Sequence, residues 1–181
     1  MKTLSKTLYL SLVCLALVFT GCNKSDDGDV AGAGGAGGGG GGTGEFLTAS
    51  IDGTGFTAST DLASLIGAQT TNGVLVVQGS TNSGSFINFS IVNYTGAGTY
   101  TTGDDLTNSN SIQYGELNGT TLSSWGSNLA TSAVGGLQPG EIIITSEANG
   151  VIEGTFSFEG YNASDMSRKM ITSGSFKSDL D

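Results

Sequence analysis

The stretch Phe86-Ile87-Asn88-Phe89-Ser90-Ile91-Val92-Asn93-Tyr94 alternates apolar and polar side chains with a period of two. On an extended chain Ile87, Phe89 and Ile91 fall on one face, and Asn88, Ser90 and Asn93 on the face left largely to solvent. A helix would scatter the same residues around its circumference, so the stretch predicts a half-buried β-strand. The pattern returns from Val151 to Tyr161, with Ile152, Phe156 and Phe158 expected inward and Glu153, Ser157 and Glu159 outward. It returns again over residues 169–177, with Met170 and Phe176 on one face.

Between these runs stand turn residues. Asn72-Gly73 and Asn118-Gly119 are hairpin signals, because both residues of a two-residue loop must tolerate left-handed backbone. Asp52-Gly53 and Ala148-Asn149-Gly150 act in the same way. Residues 60–66 could make one helical turn capped by Thr60 or Asp61, and residues 102–111 and 130–140 read as loops. No long amphipathic helix is legible. The expected fold is all-β: a single antiparallel β-sandwich or partly closed barrel of about eight to ten short strands.

The 31 glycines would suggest disorder if spread evenly, but many lie in one tract. The chain has 6 basic and 16 acidic residues and no histidine. Such a balance argues against nucleic acid, whose phosphates need lysines and arginines, and it reads as a solubilising surface.

Residues 1–21 open with Lys2 and Lys6 and continue into an apolar core from Leu8 to Phe19. This core is too short to span a bilayer and is followed directly by small residues, as in a cleaved leader. Phe19-Thr20-Gly21-Cys22 resembles the bacterial lipobox, departing from it at Phe19, where leucine is commonest. The resemblance implies cleavage before Cys22 and acylation of its thiol and new amino group, so the partner it implies is a membrane, reached through lipid. Loss of Lys2 and Lys6 leaves 4 basic against 16 acidic residues, a net charge of −12 in place of −10. Cys14 leaves with the leader, so no disulfide can form within the mature chain.

Lys24, Ser25, Asp26, Asp27 and Asp29 follow the cysteine. This cluster resembles the surface-export signal of Bacteroidota lipoproteins, and its bland alternative is a hydrophilic spacer. The expected location is therefore the outer membrane, on the cell surface, with the periplasmic leaflet as the alternative. Residues 31–44 are almost wholly glycine and alanine, a flexible coil that would give the tether from Cys22 a reach of about 25 Å. The expected organisation is a leader at 1–21, a lipidated cysteine, acidic signal and linker at 22–44, and a β-domain at 45–181.

Four phrases carry a wider resemblance: Ile51-Asp52-Gly53-Thr54-Gly55-Phe56-Thr57-Ala58, Asn93-Tyr94-Thr95-Gly96-Ala97-Gly98-Thr99-Tyr100, Ile152-Glu153-Gly154-Thr155-Phe156-Ser157-Phe158 and Ile171-Thr172-Ser173-Gly174-Ser175-Phe176. Together they resemble uncharacterised Bacteroidota surface lipoproteins classed as domains of unknown function. The resemblance covers most of residues 45–178 and implies a compact β-domain. It brings no catalytic residues.

Without histidine there is no Ser/His/Asp triad and no histidine-bearing zinc site, and the lipidated Cys22 is removed from thiol chemistry. Paired carboxylates could serve a glycosidase, with Glu116, Glu141, Glu147, Glu153 and Glu159 available, but no spacing singles out a pair. The chain is expected not to be an enzyme and to need no cofactor. Asp104, Asp105, Asn108 and Asn110 offer hard oxygens to calcium within one loop, although an Asn/Asp-rich turn explains them equally and the EF-hand spacing is absent. Trp125, the only tryptophan, is read first as a core residue, with stacking on a sugar as the alternative, and Tyr114 is the second candidate for stacking.

The expected function is that of a non-catalytic binding or envelope-contact module for a glycan or another surface protein. The alternative is a calycin-like β-barrel carrier of a small apolar ligand. A carrier would line its cavity with Ile87, Phe89, Phe156 or Phe158.

Overall fold

The computed structural model describes residues 44–60, 66–128 and 135–181, and among these every regular element is a strand. In chain order they are β1 (Phe46–Ile51), β2 (Thr54–Thr57), β3 (Ile66–Thr71), β4 (Val74–Ser80), β5 (Phe86–Val92) and β6 (Gly98–Thr102). Then come β7 (Ser111–Asn118), β8 (Thr121–Gly126), β9 (Gly140–Ala148), β10 (Val151–Tyr161) and β11 (Arg168–Asp179). The fold is all-β. The count passes the expected range because short returns such as β2 and β6 pair as full strands. Ile66, placed in a helical turn by its sequence, begins β3. Residues 61–65 of that turn lie outside the described residues, as do Cys22, Lys24, Ser25, Asp26, Asp27, Asp29, the glycine tract and residues 129–134.

Of the two expected architectures the partly closed barrel is the one formed. A single antiparallel sheet runs β2-β1-β11-β10-β8-β7-β5-β4-β3, with β9 paired to β10 and β6 paired to β9 off that path. Its right-handed twist curls it into a half-barrel, so its two ends approach each other. A parallel bridge between Ala68 and Leu180 joins β3, at one end of the sheet, to the chain just past β11, two strands in from the other end. There Thr70 N–H donates to the Asp181 carbonyl at 3.2 Å, and Asp181 N–H donates to the Ala68 carbonyl at 3.0 Å. A second thin place lies between β10 and β8, which meet only at Tyr161 and Gly126.

Alternation fills the interior as the opening stretch predicts. Ile87, Phe89 and Ile91 are buried, and Phe89 packs its ring against Phe176 at 5.2 Å and Phe156 at 6.1 Å. Each such side chain contributes about 1.5–3 kcal/mol by leaving water. Phe156 stands opposite Gly174 and Phe176 opposite Gly154 across the β10–β11 ladder. Each ring lies where the partner's Cβ would be, so both positions require glycine.

Two residues depart from their expected exposure. Met170 is exposed, and Ile171 takes the inward place beside Phe176. The cause is a bulge: one extra residue of β11 lies between the pairs Phe156–Gly174 and Phe158–Ile171, with Ser173 at a φ of 52°. Glu159, expected outward in solvent, is instead 9% exposed. The segment around Leu137 and Gln138 covers it: Gln138 N–H donates to Glu159 Oε2 at 3.0 Å, and Arg168 Nη1 donates to Oε1 at 3.1 Å.

Strand direction gives the barrel two distinct rims. At one, the chain enters through Glu45, whose Oε1 accepts from Ser178 Oγ at 2.7 Å and from Asp179 N–H at 3.1 Å. The Asn72-Gly73 and Asn149-Gly150 turns lie at this entry rim, bonded to Tyr94 and Leu180. The β1–β2 turn, the β4–β5 connection, the β7–β8 turn and the start of β11 form the opposite, far rim.

Candidate binding groove

The far rim holds an open groove of about 520 Å³, within the size range of ligand sites. One wall is β2, brought back beside β1 by the Asp52-Gly53 turn. Both turn residues are left-handed, at φ 49° and 84°, the geometry that a two-residue hairpin needs. The facing wall is the β4–β5 connection, where Thr81 Oγ1 bonds to Ser83 Oγ at 2.8 Å and accepts from Ser85 N–H at 3.1 Å. Phe56 and Tyr114, packed edge to face at 6.1 Å, form the floor.

At the turn end of the groove, Lys169 sits among charges and rings. Its Nζ lies 3.1 Å from Glu116 Oε1 and 3.8 Å from Asp52 Oδ2. It also stands 4.6 Å from the Trp125 ring centre and 5.8 Å from that of Tyr114, within range of cation–π attraction. The two rings are stacked, 6.0 Å apart. Tyr114 donates its hydroxyl to Glu116 Oε1 at 2.7 Å. Burial, then that bond and the Glu116 charge, push the Tyr114 hydroxyl up to about 12. Tyr114 therefore stays protonated as a donor. Asp52 is held by its other oxygen, which accepts from Met170 N–H at 2.8 Å.

Trp125 is 6% exposed, and its Nε1–H donates to Ser167 Oγ at 2.7 Å. It belongs to the core, and Tyr114 is buried beside it, so neither ring offers a free face for stacking on a sugar. Trp125 thus takes the core place that the sequence favours: alternation along β8 puts Trp125 and Leu122 on opposite faces, and the curl of the sheet decides which face is enclosed.

In the Asp/Asn loop the side-chain oxygens bond within the protein. Asp104 accepts from Thr101 Oγ1 and from Asn108 Nδ2, and Asp105 accepts from both the N–H and the hydroxyl of Thr107. These bonds lower both carboxyls below their usual range. Asn108 Oδ1 accepts from Asn110 N–H, and Asn110 Oδ1 accepts from Val92 N–H, tying the loop to β5. The four residues are thus brought together as a turn held by side-chain bonds to one another and to the backbone.

The other carboxylates stand apart from the groove: Glu147 accepts from Tyr94, Glu153 pairs with Lys177 at 2.8 Å, and Glu159 pairs with Arg168. The carrier residues Ile87, Phe89, Phe156 and Phe158 are all 3% exposed or less and pack within the core. Sequence reading did not single out Asp52 or Lys169. Asp52 was visible only as a turn residue, and nothing local links either of them to Glu116.

A family described as a domain of unknown function (DUF6252) matches residues 45–178. The chain belongs to this family. The matched residues take in both walls of the groove, so the DUF6252 domain contains the whole site. No curated protein and no solved structure matches the chain.

Proposed function

We propose that this DUF6252 chain is a surface lipoprotein of the Bacteroidota type, held in the outer membrane by lipid on Cys22. It acts without catalysis as a binding or envelope-contact module, and the far-rim groove is its binding surface. The observation that carries this reading is the opposition of the two rims. The chain enters at Glu45 on one, and the groove, its charge cluster and its hydroxyls lie on the other. A tether attached at the entry rim leaves the groove at the opposite end of the domain, unobstructed by the point of attachment. Lys24, Ser25, Asp26, Asp27 and Asp29 act as the export address, and the glycine tract as the leash. The carrier alternative receives less support, because the rings that would line its cavity pack against one another.

Protease treatment of intact cells tests the location. The β-domain should be shed or cleaved without lysis, and mass spectrometry of the N-terminal peptide should show acyl chains on Cys22. Protection until the outer membrane is broken would place the domain on the periplasmic leaflet, and a Cys22→Ser protein that stays membrane-bound would refute the anchor.

A further inference from the structure

The groove wall formed by β2 is also a free sheet edge. In the β1–β2 hairpin Ile51 pairs with Thr54, Ala49 with Phe56, and Ala58 N–H donates to the Leu47 carbonyl at 2.9 Å. Every second residue therefore bonds to β1, and the backbone groups of the alternate residues, Gly55 and Thr57, point the other way. Among the described residues β2 pairs with β1 alone. The next outward group, Ser59 N–H, donates to the Ser80 carbonyl at 2.8 Å. Beyond that bond β2 and the β4–β5 connection diverge, leaving a slot with two unpaired rungs along one side.

The slot is accessible to an incoming backbone. Gly55 and Thr57 are exposed, and a Cβ added at Gly55 would meet nothing. At its end stand Asp52 and Glu116, with side chains 51% and 28% exposed, against the single ammonium of Lys169. Acceptors outnumber cations there, on a chain whose net charge is −10. The rings at the site are buried, so the stacking platform expected for a sugar is missing, whereas backbone groups in strand geometry are present.

We propose that the edge of β2 is the docking site for an extended peptide segment of a second protein, added as a further strand, with a lysine or arginine placed against Asp52 and Glu116. This inference rests on the reading of the far-rim groove as the binding surface. Main-chain bonds to Gly55 and Thr57 would supply affinity, and the acidic end of the slot would supply selectivity and orientation.

The test screens the full lipidated chain in detergent micelles against a displayed library of random dodecapeptides and an array of neutral oligosaccharides. Selected peptides should carry Lys or Arg, and their binding should slow hydrogen exchange at the Gly55 and Thr57 amides. Thr57→Pro removes an outward N–H that the fold does not use, and should weaken binding by about tenfold or more. Glu116→Gln should weaken it by about three- to tenfold and flatten its salt dependence. Peptides that leave both amides unprotected would overturn the proposal, as would unchanged affinity in a folded Thr57→Pro protein. If that variant does not fold, the exchange result decides. Oligosaccharide binding abolished by Glu116→Gln, with no peptide protecting the edge, would overturn the peptide inference and leave the groove reading standing. Binding of neither probe in a manner sensitive to Glu116 would overturn both.

Discussion

At the residue scale, Trp125 illustrates how one side chain can serve both core and rim. Its ring stacks on Tyr114, carries Lys169 over its surface and bonds Ser167 through Nε1. Trp125→Ala should cost about 3–5 kcal/mol in denaturant unfolding, because a large cavity opens and Lys169 loses its support. Trp125→Phe should cost less, since most of the packing survives. Tyr114 yields a pH prediction. Its folded pKa of about 12 lies above the unfolded value near 10.0, so its protonated form is favoured by folding. The stabilisation it contributes is complete below pH 10 and is lost as pH rises toward 12. Tyr94, raised by burial and by its bond to Glu147, acts in the same direction. Tyrosinate absorbance should show two late-titrating groups in the folded chain, and Tyr114→Phe should flatten the alkaline loss of stability. Neither effect was legible from β7 or β8 alone, because burial of both rings depends on β2 and β11 closing over them.

At the scale of elements, hairpins were the readable units. Asp52-Gly53, Asn72-Gly73 and Asn149-Gly150 all adopt paired left-handed conformations, as their side chains predict. At the second asparagine–glycine signal the turn is displaced by one residue: Asn118 pairs with Thr121, Gly119 alone is left-handed, and Gly119 and Thr120 make the tip. A less readable unit is the cover over β10. Arg168 donates to the Gly135 carbonyl at 2.9 Å and to Glu159, while Glu159 accepts from Gln138, so one ion pair fastens residues 135–138 to the sheet. Arg168 is partly exposed, which moderates its worth, and Glu159→Gln should cost about 1–3 kcal/mol. Limited proteolysis should then cut faster near Gly136. Alternation placed Glu159 on the outward face correctly, but it could not report that a loop returns over that face.

At the scale of the whole molecule, the half-barrel is closed by contact between segments remote in sequence, β3 and the chain just past β11. Leu180 and Asp181 make that closure with β3. Deleting them should cost about 1–3 kcal/mol, through three lost hydrogen bonds and lost contact of Leu180 with the core. Hydrogen exchange should accelerate first at Ala68 and Thr70, and unchanged exchange in β3 would show that the bridge does not secure the seam. The strand class, most of the hairpins and the inward set around Ile87, Phe89, Ile91, Phe156 and Phe158 are legible in the residues alone. These follow from local backbone preference and from a period of two, both readable within a few residues. The sequence also carries the lipobox reading at Cys22. Barrel over sandwich, the burial of Trp125, the shift of Met170 outward past the Ser173 bulge, and the meeting of Asp52, Glu116 and Lys169 emerge only in the folded chain. Each of those depends on which distant strand lies alongside, and pairing across a sheet is settled by twist, bulges and closure together, none of which leaves a local periodic mark.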